Sequence, residues 1–207
     1  MNLYLVHNDP ERTTLVSSNG IAHYQVRTMR KSLLSGSAVS TIIRPAPTVS
    51  ESIVAEIEWR AWCKAPIVRS NAFDGTIQEL PVDELLYKSP SARFSALRDL
   101  CHSKRYFLGN DDKVYCWRVV KGIGSVLTCA KTREEVARFT EDDVKEGYFR
   151  GQKKWYLQTH PSTLDIDMVV ITFIIMEKRR RDKVTDPLAV RVLEHDEDPA
   201  EGGGIEG

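Results

Sequence analysis

The sequence predicts a mainly β fold: an antiparallel closed β-barrel of about a dozen strands around a central hydrophobic C-terminal α-helix. Three observations point there. Short segments rich in Val, Ile, Leu and Tyr recur along the chain, with Gly, Asn, Asp and Pro turn signals between them. No internal repeat stands out, which disfavours solenoids and propellers. One late segment, residues 164–181, is longer than any of the strand-like runs and apolar through its middle.

Residues 2–7, 14–18 and 21–28 read as the first strands, separated by Asn8-Asp9-Pro10 and Ser18-Asn19-Gly20. The Asn19-Gly20 pair suits a tight hairpin because both residues tolerate positive φ. Residues 39–44 and 53–60 follow. In the second of these, Ile53, Ala55, Ile57 and Trp59 alternate with Val54, Glu56, Glu58 and Arg60, so one face is buried and the other mostly wet. Short strands are expected at 66–69 and 76–80, around Asp74-Gly75. Pro81 followed by Asp83-Glu84-Leu85-Leu86 predicts a helical turn within 82–88, and 91–100 reads as a further short element. Strands at 104–108, 114–120, 125–130, 135–139 and 153–159 complete the set. Their turns are Gly109-Asn110-Asp111-Asp112, Gly122-Ile123-Gly124 and the polar stretch 141–151.

The central helix is expected at about 163–181. Ser162 or Thr163 caps its start, and Asp165 and Asp167 lie where the positive end of the helix dipole favours anions. Lys178-Arg179-Arg180-Arg181 sits at the negative end. From Met168 to Met176 only Thr172 is polar, so the helix must be enclosed on every side. That makes a barrel threaded by the helix the economical arrangement.

The chain has 207 residues, enough for one domain with a sizeable core and no need of metal or disulfide staples. Hydrophobic residues at 42% and charged residues at 28% exclude a largely disordered chain. The net charge of zero argues against nucleic acid as a partner. It conceals an asymmetry: from Asp186 onward seven acids face one base, Arg191, so the tail carries −6 and residues 1–185 carry +6. The organisation expected is a barrel at 1–183 and an acidic, Gly-rich, disordered tail at 184–207. The N-terminus has neither a basic region nor an apolar run suited to a signal peptide. The longest apolar stretch is nine residues against the roughly 20 that span a bilayer. A soluble cytoplasmic protein, peripheral to membrane at most, is the expectation.

Chemistry is harder to place. Five histidines and four cysteines form no H-x-x-x-H, C-x-x-C or H-E-x-x-H spacing, so neither a metal site nor a cofactor is expected. Cys116 and Cys129 lie within apolar strands as small core residues. No nucleophile elbow, Walker loop or dinucleotide fingerprint occurs, and no catalytic residue is identified. Glu56 and Glu58 share a strand face, as a general acid/base pair would, but a solvated face is the preferred explanation.

Many antiparallel strands followed by a wholly hydrophobic helix resemble the tubby-like superfamily. The resemblance rests on residues 20–28 (GIAHYQVRT), 54–59 (VAEIEW), 114–117 (VYCW), 136–139 (VARF) and 164–180 (LDIDMVVITFIIMEKRR). More closely, the chain is similar to a fungal family of small uncharacterised tubby-like proteins. The resemblance implies a barrel around a central helix and a connection to anionic phospholipid. It supplies no headgroup residues, because the Lys-x-Arg pattern of tubby has no clear counterpart in this sequence. From the residues themselves, the candidate ligand-binding cations are Arg27, Arg30, Lys31 and Arg44 on the early strands, and Lys178, Arg179, Arg180 and Arg181 at the helix end. The leading expectation is a non-enzymatic barrel that binds an anionic phospholipid or related amphipathic ligand at a membrane surface. The rivals are a protein-interaction module regulated by its acidic tail, and a small-molecule enzyme with His and carboxylate groups in a barrel-end pocket.

Overall fold

A computed structural model of the chain describes residues 1–30, 37–60, 65–88, 104–120 and 122–185. The expected element at 91–100 and the acidic tail from 186 lie outside the described residues. Twelve strands form one antiparallel sheet: β1 (Asn2–Leu5), β2 (Arg12–Val16), β3 (Ala22–Arg30), β4 (Ala38–Ile43), β5 (Ile53–Trp59), β6 (Ile67–Ser70), β7 (Gln78–Pro81), β8 (Arg105–Leu108), β9 (Val114–Val120), β10 (Gly124–Cys129), β11 (Glu135–Asp143) and β12 (Lys153–Thr159). Short helices α1 (Val49–Ser52) and α2 (Val82–Leu85) interrupt it, and α3 (Ile166–Thr185) ends the described chain. The turn predicted after Pro81 is α2. Helix α1 was not predicted; the Thr48 side chain caps it by accepting from the Glu51 amide at 3.3 Å.

The strand order is β7-β6-β5-β4-β3-β2-β1-β12-β11-β10-β9-β8, a meander whose one non-consecutive step pairs β1 with β12. β7 and β8 are therefore the two edges, and the sheet is not closed by hydrogen bonds between them. The chain between the edges turns into α2, whose Val82 and Leu85 are buried together with Leu86. A single bridge follows, in which Tyr87 and Tyr106 exchange backbone hydrogen bonds of 2.9 Å. Pro81 ends β7 and cannot donate to a further ladder.

Every residue of α3 from Met168 to Glu177 is buried. Strands far apart in the sheet order touch it. Tyr24 of β3 donates to Asp167 at 2.7 Å, Trp117 of β9 donates from Nε1 to Thr172 at 3.0 Å, and the Phe139 ring of β11 lies 4.6 Å from that of Phe173. Period-two alternation supplies the inward side chains: Tyr115 and Trp117 face the helix side while Val114 and Arg118 are exposed. A smaller apolar cluster of Tyr4, Val16, Val144 and Phe149 lies apart from the main core. There the β11–β12 connection meets the β2–β3 turn: the Tyr148 amide bonds to the Ser18 carbonyl at 2.8 Å. Gly20 in that turn has φ +80, as the hairpin signal requires, and a Cβ on Gly147 would sit 2.3 Å from the Ser18 carbonyl oxygen.

The helix begins later than expected and is capped differently. Asp165, not Ser162 or Thr163, accepts from the Asp167 amide at 2.9 Å. Thr163 instead donates to Asp111 in the β8–β9 turn, and Asn110 accepts from the Asp165 amide at 3.1 Å. Burial pushes the Asp111 carboxyl up, but bonds from Thr163, Tyr115 and Lys113 outweigh this and hold it below its ordinary value. The Arg138 guanidinium likewise holds Glu135 down. A depressed folded-state pKa gives stability that is present above the unfolded pKa and lost as pH falls through the folded one. Melting temperature should therefore decline as pH is lowered below about 4.5, the ordinary carboxylate range. Asp167 opposes this, because burial raises it. Asp111→Asn should flatten the acid limb, which thermal melts across the acid range would detect.

Candidate functional site

The candidate cations are scattered rather than gathered. Arg44 lies at the start of α3, with Nη1 2.5 Å from Asp167 Oδ2. Asp167 thus lies between the Tyr24 hydroxyl and Arg44; burial pushes both the tyrosine and the carboxyl up. The pair Asp165 and Asp167 serves the helix start, one as cap and one as a buried ion-pair partner.

At the other end of α3, the four basic residues all have acidic partners. Glu177, 1% exposed, accepts from Arg180 at 2.7 and 2.8 Å and from Arg181 Nε at 2.7 Å. Arg181 also bonds Asn8 at 2.6 Å. Lys178 reaches Asp182 at 3.0 Å and Glu11 at 3.4 Å, and its amine lies 5.1 Å from the Trp59 ring. Arg179 pairs with Asp83 at 2.9 Å. The helix also runs on to Thr185, so these residues precede its last turn.

Arg27 and Arg30 are exposed on β3, but three residues apart on a strand they point to opposite faces. Lys31 lies outside the described residues. Glu58 is bound to Arg69 at 3.3 Å and to Arg60 at 3.6 Å, which removes it from an acid/base pair with Glu56.

A different group of cations does converge. On the outer face of β8–β10, a cavity of about 280 Å³ is lined by Lys104, Tyr106, Cys116, Arg118, Thr128, Ala130 and Arg133. Register assembles it: Tyr106 opposes Cys116, which opposes Thr128. Arg118 follows Cys116 by two residues and shares its face. Arg133 enters from the β10–β11 turn, where it holds left-handed backbone with φ 66 and its amide bonds the Cys129 carbonyl at 2.9 Å. Lys104, Arg118 and Arg133 have no anionic partner among the described residues. Burial pushes the Cys116 thiol up, against the Tyr106 hydrogen bond and the three cations, so the thiol stays protonated. Leu108 and Val114, opposite each other across β8 and β9, lie one step along the same face and are 54% and 36% exposed. The arrangement offers positive charge and hydrogen bonds beside an apolar step.

Sequence reasoning missed this site because its cations are 14 and 15 residues apart, in a β8 flank, a strand and a turn. One signal was available: Val114, Cys116 and Arg118 fall on the strand face opposite Tyr115 and Trp117. Among the described residues, no group of three His, Cys, Asp or Glu side chains is placed to hold a metal, and no helix is long and apolar enough to cross a membrane.

A family model described as a family of unknown function, DUF6593, matches residues 8–182. No curated protein and no solved structure matches the chain.

Proposed function

We propose that this chain, which belongs to the DUF6593 family, is a tubby-like barrel that binds an anionic phospholipid or related amphiphile without enzymatic turnover. In this reading α3 is the barrel's central helix, and α2 with the Tyr87–Tyr106 bridge spans the seam between β7 and β8. The protein works from the cytoplasm as a peripheral membrane binder.

The observation that carries the reading is the convergence of Lys104, Arg118 and Arg133, without an anionic partner among the described residues, on one outer-face cavity. A cluster of like charges costs free energy unless an anion joins it. The exposed Leu108 and Val114 beside it favour an amphiphile over a bare anion. The protonated Cys116 thiol offers no nucleophile, which favours binding over catalysis.

Co-sedimentation with vesicles tests this, using phosphatidylcholine alone or with a phosphatidylinositol phosphate. Binding is expected only to the second, and to weaken with salt. Each cation near an anionic surface contributes about 1 kcal/mol, so Arg118→Ala with Arg133→Ala should weaken binding by about 30-fold. Arg179→Ala, already neutralised by Asp83, should change it little. No sedimentation with either vesicle, or equal sedimentation of a folded double variant, overturns the proposal.

A further inference from the structure

A second basic feature lies elsewhere on the sheet and has its own logic. Arg12 of β2 and Arg27 of β3 are directly opposite each other, exposed, on the outer face. Like charges facing each other across a ladder are destabilising. Neither has an anionic partner among the described residues. They border an open groove of about 400 Å³ that also holds Thr14, Gln25 and the 75% exposed Met29. Along β3 the outer face therefore presents an amide, a guanidinium and a thioether at positions 25, 27 and 29. Their spacing of about 7 Å is the repeat of alternate residues in an extended peptide.

The end of β3 carrying Met29 is the end near the C-terminus of α3. The Thr28 hydroxyl bonds the Glu11 carbonyl at 2.8 Å, and the Glu11 carboxylate meets Lys178 at 3.4 Å. Chain leaving α3 and passing over this rim meets Met29 first and the two arginines next. The sequence after Thr185 has the matching order: Val190, Val192 and Leu193, then Glu194, Asp196, Glu197 and Asp198. Thr185 lies about 10 Å beyond Lys178 along the helix axis. The eight residues from 186 to 193 reach up to about 26 Å when extended, enough to return to the groove.

We infer that the acidic C-terminal segment of the same chain docks in this groove, with its apolar residues on Met29 and its carboxylates on Arg12 and Arg27. Tethering makes the contact intramolecular, at an effective concentration in the millimolar range. The −6 of the tail and the +6 of residues 1–185 are then brought together in one molecule.

Backbone amide and arginine Nε–Hε resonances of the full chain test the inference. Neutralising Glu194, Asp196, Glu197 and Asp198 to their amides should shift the Arg12 and Arg27 signals and leave Arg118 unmoved. In the reverse experiment, Arg12→Gln with Arg27→Gln should move the amides of 194–198 to the positions they take in high salt. Both effects should be independent of protein concentration. Silent Arg12 and Arg27 signals overturn the inference; so do shifts at Lys104, Arg118 and Arg133 instead, which would put the tail in the other cavity. Concentration-dependent shifts overturn it in favour of a second copy as the source of the tail. Vesicle binding through Arg118 and Arg133 is a separate readout, so either conclusion can fail alone.

Discussion

Ile171→Asp is expected to yield no folded protein. Ile171 is fully buried in the middle of α3, with buried neighbours on both sides from Met168 to Glu177. Thr172 is the only uncharged polar side chain in that stretch, and it is already committed to Trp117 and the Met168 carbonyl. An aspartate there gains no cation and no free donor. Burying an unpaired carboxylate costs several kcal/mol even when protonation relieves it, comparable to the whole stability of a domain. Ile171→Val removes one methylene and should cost only about 0.5–1.5 kcal/mol. Circular dichroism and thermal melts of the pair separate charge burial from lost volume. If the aspartate variant melts like the parent, α3 is not enclosed in solution.

That experiment bears on what the sequence made legible. The enclosure of α3 was readable because nine consecutive residues contain one polar side chain, a pattern that leaves no wet face. Strand positions were readable from alternation and from turns such as Asn19-Gly20. The cap was misplaced because Ser162, Thr163, Asp165 and Asp167 all suit a helix start, and the choice among them is made by tertiary contact. Asp111 and Asn110, 52 and 55 residues away, engage Thr163 and the Asp165 amide and leave Asp165 to cap. The extent of closure could not be read from strand count, because the chain leaves β7 directly into α2 and meets β8 among the described residues through the Tyr87–Tyr106 bridge.

The candidate site failed in sequence for a related reason. A basic run such as Lys178–Arg181 is conspicuous in one dimension, yet Glu177 lies next to it and Asp182 just beyond, with Glu11 and Asp83 brought in by folding. Density along the chain therefore overstated the charge available to a ligand. Lys104, Arg118 and Arg133 are inconspicuous in the chain but, among the described residues, remain unneutralised on one surface. What recruits a ligand is charge left over after intramolecular pairing, and pairing is a property of the fold.

Trp117→Ala should be the most destabilising of the simple truncations, at about 3–5 kcal/mol, lowering the melting temperature by about 6–20 °C. Trp117 is fully buried, is the largest fully buried side chain among the described residues, and its ring lies 6.4 Å from that of Phe173. Removing it opens a cavity between β9 and α3 that close-packed neighbours fill only in part. Its hydrogen bond makes the partner position more diagnostic. Thr172 Oγ1 donates to the Met168 carbonyl at 2.8 Å and accepts from Trp117 Nε1 at 3.0 Å. Trp117→Phe leaves the threonine still bonded within its own helix, so its cost is chiefly lost packing. Thr172→Val keeps shape and volume but strands a fully buried indole N–H, at about 1–3 kcal/mol. The double variant Trp117→Phe/Thr172→Val should then cost less than the sum of the singles, because the orphaned donor is gone. Strict additivity would mean that strand β9 and helix α3 are not joined through this bond, and that their contact is packing alone.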